Sequence, residues 1–298
     1  MPQMAVKDLT LEYDVFGDPA GRPLLLIAGH SCQMVFWDER VCEQLAEAGH
    51  FVIRFDNRDC GRSSRLDKAG VPNRARLLLD FMLGRPIDAP YLFGDMADDA
   101  AGLLDGLGIG AAHVCGMSMG CSIAQHLAIR HPARVASMTL IYGTTGRAGL
   151  SRPSLSLMRY FVTEPPKARQ AFRAHFVSSF GRIAGSGFHF DHEWHDRLAD
   201  RVFERGISFP GTLRQAAAAA ASGSTAERLA SLEMPALIVH GTKDPLQPID
   251  GGIDLAASLP NARMMVIDGW GHDMPHGGEP WPRIVDAIAA HTLTAVAR

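Results

Sequence analysis

The chain has 298 residues, 47% hydrophobic and 20% charged, with a net charge of −3. That balance fits one globular domain with a small insertion and excludes a disordered or repeat-built chain. No Lys/Arg cluster could neutralise a phosphate backbone and no apolar run approaches the roughly 20 residues that cross a bilayer, so neither nucleic acid nor a membrane is an expected partner.

In chain order, strands are predicted at Leu9–Phe16, Leu24–Ala28 and Phe51–Asp56, with a helix over Trp37–Ala48 stopped by Gly49. Helices over Asp98–Leu107 and Ser118–Arg130 flank a fourth strand, His113–Gly116, and the second of them ends where Pro132 bars continuation. A fifth strand follows at Met138–Tyr142. From about Gly143 to Arg228 the strand alternation gives way to helix-compatible stretches such as Ala168–Phe180, Asp191–Phe203 and Ala216–Ala221, with breakers at Gly181–Gly187 and Ser222–Thr225. Strands resume at Ala236–His240 and Arg263–Ile267, and Pro282–Thr292 is the last helix. Short apolar strands alternating with helices give an α/β fold, a mostly parallel twisted sheet flanked by helices. Residues 1–143 and 229–298 form its core and 144–228 a helical insertion.

The chemistry-bearing motif is Gly116-Met117-Ser118-Met119-Gly120, a G-x-S-x-G set between a strand and a helix. On so tight a turn the serine backbone is strained, side chains at the flanking glycines would collide with neighbouring strand and helix, and the hydroxyl is pushed out of the sheet. Helix N–H groups then face any oxyanion beside Ser118, with Met119 N–H as the first donor. A serine hydroxyl needs a histidine to take its proton and a carboxylate to orient that ring. Asp244 lies on the glycine turn that ends Ala236–His240, and His272 on the glycine-rich loop after Arg263–Ile267. The order Ser, Asp, His at the ends of successive strands makes Ser118 the nucleophile, His272 the base and Asp244 its partner.

These motifs, with Asp56-Asn57-Arg58-Asp59-Cys60-Gly61-Arg62-Ser63 upstream, resemble the α/β-hydrolase superfamily. Phe16-Gly17-Asp18-Pro19-Ala20, Arg54–Ser63 and Gly116–Gly120 are similar to its ester-hydrolysing branch that includes aclacinomycin methylesterase. The resemblance implies that the insertion, after the sixth strand of that fold, is a lid over the active site with the substrate pocket beneath it. It also implies that His30 N–H is the second oxyanion donor, although Ala28 stands where that family usually has a histidine. Phe36, Trp37, Met158, Phe161 and Phe176, with Phe172 and Phe180, are pocket candidates, and core packing of the lid explains them equally well.

Other signals carry no function. Gly106–Ala111 reads as G-x-G-x-x-A but ends a helix instead of opening one, and His189–His195, whose spacing of three would bring its histidines together on a helix, is not HExxH and is expected as a solvated helix face. The five cysteines (Cys32, Cys42, Cys60, Cys115, Cys121) cannot all pair and form no CxxC, and the N-terminus lacks a leader pattern, so a cytoplasmic protein is expected. The expectation is a serine carboxylesterase without metal or cofactor, a monomer or homodimer, acting on a small to medium apolar ester, a methyl ester among the candidates. Amide hydrolysis of the proline-iminopeptidase type, C–C hydrolysis and a non-catalytic small-molecule receptor are the alternatives.

Overall fold

The computed structural model describes residues 1–161, 163–274 and 276–296. Eight strands form one sheet: β1 (Gln3–Val6), β2 (Leu9–Phe16), β3 (Arg22–Ile27), β4 (His50–Phe55), β5 (Ala112–Met117), β6 (Val135–Ile141), β7 (Ala236–Gly241) and β8 (Ala262–Ile267). Their spatial order is β1-β2-β4-β3-β5-β6-β7-β8. The first two strands run antiparallel to their neighbours, and β3 to β8 are mutually parallel.

The alternation of side chains along each strand divides the core in two. Leu25 and Ile27 of β3, with Val114 and Ile238, face α3 (Phe93–Gly106), α4 (Met119–Arg130) and α10 (Ile249–Ser258). Leu24 and Leu26, with Cys115, Leu237 and Val239, face α1 (Glu39–Glu47) and α11 (Trp281–Val296). Because both faces are covered, the central strands read as unbroken apolar runs, and each fully buried Leu or Ile contributes about 2 kcal/mol.

Three elements were not expected from the sequence. The short edge strand β1 and helix α2 (Arg74–Met82) lie at the periphery, where apolar periodicity is weak. Helix α10 contains Gly251-Gly252, which reads as a break; a Cβ on Gly252 would strike the His240 ring, so the glycine permits close packing on β7.

Between β6 and β7, the segment predicted as an insertion carries α5 (Leu155–Phe161), α6 (Arg169–Gly181), α7 (His192–Arg205), α8 (Phe209–Ala221) and α9 (Ala226–Leu229). Phe172, Phe176, Trp194, Leu198 and Val202 from these helices join the core cluster of the α1/α11 face. Buried charge joins them further: Arg205 donates to Glu12 at 2.6 Å and Asp56 at 2.5 Å, and Arg214 grips Asp59 with two bonds of 2.8 and 2.6 Å. Within the His189–His195 stretch, His189, His192 and Glu193 are exposed as expected, whereas His195 is fully buried with its ring stacked on Phe190 at 4.0 Å. Among the described residues no helix is long and apolar enough to cross a membrane.

Candidate active site

Because β5, β6, β7 and β8 are parallel, the loops that leave their C-terminal ends share one edge of the sheet. Ser118 immediately follows β5 and starts α4, with φ of 54° and ψ of −121°. A non-glycine residue holds such a conformation only where its surroundings fix it. They do so here: a Cβ on Gly116 would land on the Gly120 carbonyl, and one on Gly120 would land on the Ile27 carbonyl of β3. The two glycines therefore let strand, turn and helix close on one another. Ser118 N–H donates to the Ile141 carbonyl at 3.0 Å, and the side chain stands half-exposed at the head of the helix.

Asp244 and His272 meet at the same edge. His272 Nδ1 lies 2.7 Å from Asp244 Oδ2, and both side chains are buried. The other carboxylate oxygen accepts from Leu246 N–H at 2.8 Å and Gln247 N–H at 2.7 Å, so both oxygens are occupied and the Asp244 plane is fixed. No hydrogen bond joins the Ser118 hydroxyl to His272 among the described residues, and the imidazole is instead packed against Tyr142, expected from the sequence only as the last residue of a strand. Tyr142 follows Ile141, has φ of 42°, and sets its buried ring 4.1 Å from the His272 ring and 5.4 Å from Trp270. Its hydroxyl points to Met117 Sδ at 3.4 Å, one residue before the serine. Burial pushes the Tyr142 phenol far above its ordinary range, which keeps it neutral as a wall for the imidazole.

The segment between β6 and β7 also touches the histidine loop through its backbone. His272 N–H donates to Ile183 O at 2.6 Å, Gly271 N–H to Ala184 O at 2.9 Å, and Gly187 N–H to Gly269 O at 2.9 Å, an antiparallel bridge centred on Gly185 and Trp270. The adjacent Asp273 accepts from His276 at 3.0 Å and lies 3.7 Å from His195 of α7.

On the opposite side of Ser118, the loop after β3 turns through Gly29, His30, Ser31 and Cys32, closed by Cys32 N–H to Gly29 O at 3.2 Å. A Cβ on Gly29 would come 3.2 Å from that of Ser118, so this loop is packed directly against the serine. His30 is half-buried, its Nε2 2.9 Å from the Thr212 carbonyl, and burial lowers its pKa. A cavity of about 140 Å³ opens from His30 and Ser31 toward the insertion, walled by Phe36, Phe172, Phe176 and Phe180. Of the residues expected in a pocket, Phe36, Phe172, Phe176 and Phe180 line this cavity. Trp37 does not; it is buried in the core, edge-on to Trp281 at 6.1 Å. Met158 on α5 is half-buried and away from the cavity lining, and the Phe161 side chain lies outside the described residues. All five cysteines are buried free thiols.

A sheet ordered in this way, carrying a strained serine and an Asp–His pair on one edge, belongs to the α/β-hydrolase fold family, whose model matches residues 22–278. Over nearly its full length the chain is similar to two curated enzymes. It is 32% identical to rhodomycin D methylesterase DauP of Streptomyces sp. (strain C5), with 98% of each chain covered. It is 31% identical to rhodomycin D methylesterase DnrP of Streptomyces peucetius, covering 97% of this chain and 96% of that one. Among solved structures, the 2-hydroxy-6-oxo-6-phenylhexa-2,4-dienoate hydrolase from Rhodococcus sp. strain RHA1 shares the fold with a TM-score of 0.73 at 19% identity, covering 97% of this chain and 96% of that one. The chain is thus a hydrolase with esterase activity on the α/β-hydrolase fold.

Proposed function

We propose that the chain hydrolyses a carboxylic methyl ester with a largely apolar acyl part, through an acyl-enzyme on Ser118. The observation that carries this reading is the 2.7 Å Asp244–His272 bond at the sheet edge from which the strained Ser118 projects. Asp244 accepts the Nδ1 proton of His272 and so leaves Nε2 free to act as base. Nε2 takes the Ser118 proton as the hydroxyl oxygen attacks the ester carbonyl, and the resulting oxyanion is held by the N–H groups of Met119 and His30. The imidazolium then returns that proton to the departing alkoxide, which leaves as an alcohol. Water, deprotonated by the same nitrogen, attacks the acyl-enzyme; its collapse frees the acid and restores the Ser118 hydroxyl.

The phenylalanine walls of the cavity favour an apolar acyl group, and the named relatives, both methylesterases, favour a small alcohol. Residues 144–228 serve as the cap over this cavity, with 1–143 and 229–298 as the catalytic core. A panel of esters with methyl, butyl and benzyl alcohol parts, beside the matching amide, tests the reading. Methyl esters of apolar acids are expected to turn over best and Ser118→Ala to abolish turnover. Faster cleavage of the amide, or an active Ser118→Ala, overturns it.

A further inference from the structure

The loop after β3 is held in a strained shape by the insertion. Ser31 has φ of 56°, which a serine keeps only where neighbours fix it, and Ala28 at the head of the loop offers just a buried methyl group. The fixing groups lie on α8. Gln215 is fully buried; its Oε1 accepts from Ser31 N–H at 2.8 Å and its Nε2 donates to the Arg58 carbonyl at 2.8 Å. One amide thereby ties the loop after β3 to the loop after β4. One turn earlier, the Thr212 carbonyl lies 2.9 Å from His30 Nε2 and its hydroxyl pairs with that of Ser31 at 2.7 Å. From the core side, Asn57 donates to the Ala28 carbonyl at 3.2 Å and Gln33 donates to the Val202 and Gly206 carbonyls at 3.0 and 2.9 Å.

This pattern decides which N–H of the loop can serve a substrate. Ser31 N–H is consumed by Gln215, and the positive φ that this bond holds at Ser31 sets the orientation of the His30–Ser31 peptide in the turn. We infer that Gln215 is a positioning residue for the oxyanion site: from the insertion it captures Ser31 N–H and fixes the turn so that His30 N–H is the donor beside Ser118. The inference rests on the Ser118 reading proposed above. It gives the insertion a part in transition-state stabilisation as well as in covering the cavity. A donor that matters only once the carbonyl oxygen becomes an oxyanion raises kcat and leaves substrate affinity alone.

The test is Gln215→Met, which keeps length and bulk but removes both hydrogen bonds. Loss of a whole oxyanion donor costs about 100- to 1000-fold in kcat, and a misplaced donor is expected to cost at least about tenfold, with KM within about twofold. Affinity for an apolar trifluoromethyl ketone, which forms a tetrahedral adduct with a nucleophilic serine, is expected to weaken by a similar factor. Gln215→Glu keeps an acceptor for Ser31 N–H and is expected to recover most of the loss. If Gln215→Met does not fold, Thr212→Val, which at a half-buried position removes the hydroxyl that accepts from Ser31 and donates to the Ser208 carbonyl at 3.2 Å, is expected to lower kcat severalfold at unchanged KM. Wild-type kcat and ketone affinity in the folded Gln215→Met protein, or in Thr212→Val where that variant stands in, overturns the inference, even if melting temperature falls. Ser118→Ala run in parallel separates the two ideas. An active Ser118→Ala sinks the nucleophile assignment, whereas an inert one beside a fully active Gln215→Met sinks this inference alone.

Discussion

Asp244 carries three hydrogen bonds on two oxygens, and only one of them goes to His272; the other two come from its own turn. Replacing the acid with Asn would leave a shape that still fits that turn but would present an N–H₂ group to one neighbour and favour the wrong imidazole tautomer. Asp244→Asn is therefore expected to fold normally and lose about 10³- to 10⁴-fold in kcat, measured on the best ester of the panel. A loss of less than tenfold would show that the pair does not orient the base. Ser118, Asp244 and His272 stand out as candidates in the sequence because each sits on a glycine-marked turn directly after an apolar strand, and the structure brings the Asp244 and His272 side chains within 2.7 Å of each other. Tyr142 could not. It closes the Met138–Tyr142 run as an ordinary strand aromatic, and nothing in the neighbouring residues announces a left-handed backbone or a ring laid against an imidazole 130 positions later.

The elements between β6 and β7 were legible as helices, yet their attachment was not, because the attaching groups are single arginines and backbone carbonyls far from their partners in the chain. The Asp56–Ser63 motif shows this well. Its resemblance to the family was visible, while the physical task of its acids appears only once α7 and α8 are in place: Asp56 receives Arg205, and Asp59 receives Arg214 together with the Tyr91 hydroxyl at 2.8 Å. Both Arg214 and Asp59 are wholly buried. Removing one partner strands the other charge, so Arg214→Met is expected to cost about 3–5 kcal/mol, read by chemical denaturation. The double variant Asp59→Asn with Arg214→Met should regain part of that, since Asn removes the stranded charge, keeps an acceptor for the Tyr91 hydroxyl and Leu66 N–H, and tolerates the φ of 66° at this position. A single-variant loss below about 1 kcal/mol would mean that the α8 attachment contributes little to stability. The bridge from Ile183–Gly187 to the His272 loop has the same character, because backbone pairing between a breaker segment and a glycine loop leaves no residue-type signature.

Across the whole molecule, the edge of the sheet opposite the proposed catalytic centre holds buried histidines whose titration ties stability to pH. His50 opens β4, with its ring between the Leu45 carbonyl and the Thr292 hydroxyl at 2.8 and 2.7 Å. His113 near the start of β5 pairs with Ser137 at 2.8 Å, and His291 of α11 meets the Met138 carbonyl at 3.0 Å. Burial, and then repulsion from the neighbouring His50 and His291 rings, holds His113 down to about 4. Burial first, with nearby arginines, holds His291 and also His126, edge-on to Phe93, down to about 4. In the unfolded chain the same rings take protons near 6.5. Between those values the unfolded state binds more protons than the native one, so the stabilisation is complete above about pH 6.5 and drains as pH falls toward 4. Glu39 acts in the same direction at still lower pH: burial pushes its carboxyl up, but Arg201 and Arg54 outweigh that and hold it near 2. Melting temperature is expected to be flat from pH 8 to 7 and to fall steeply from 6.5 to 4.5. His126→Phe removes one titrating ring at a site already lined by an aromatic, and should shallow that fall while leaving the value at pH 8 nearly unchanged. A melting temperature that held level or rose on acidification would mean that these rings are protonated in the native protein, with water or a counter-charge reaching a sheet edge that the structure seals with side chains.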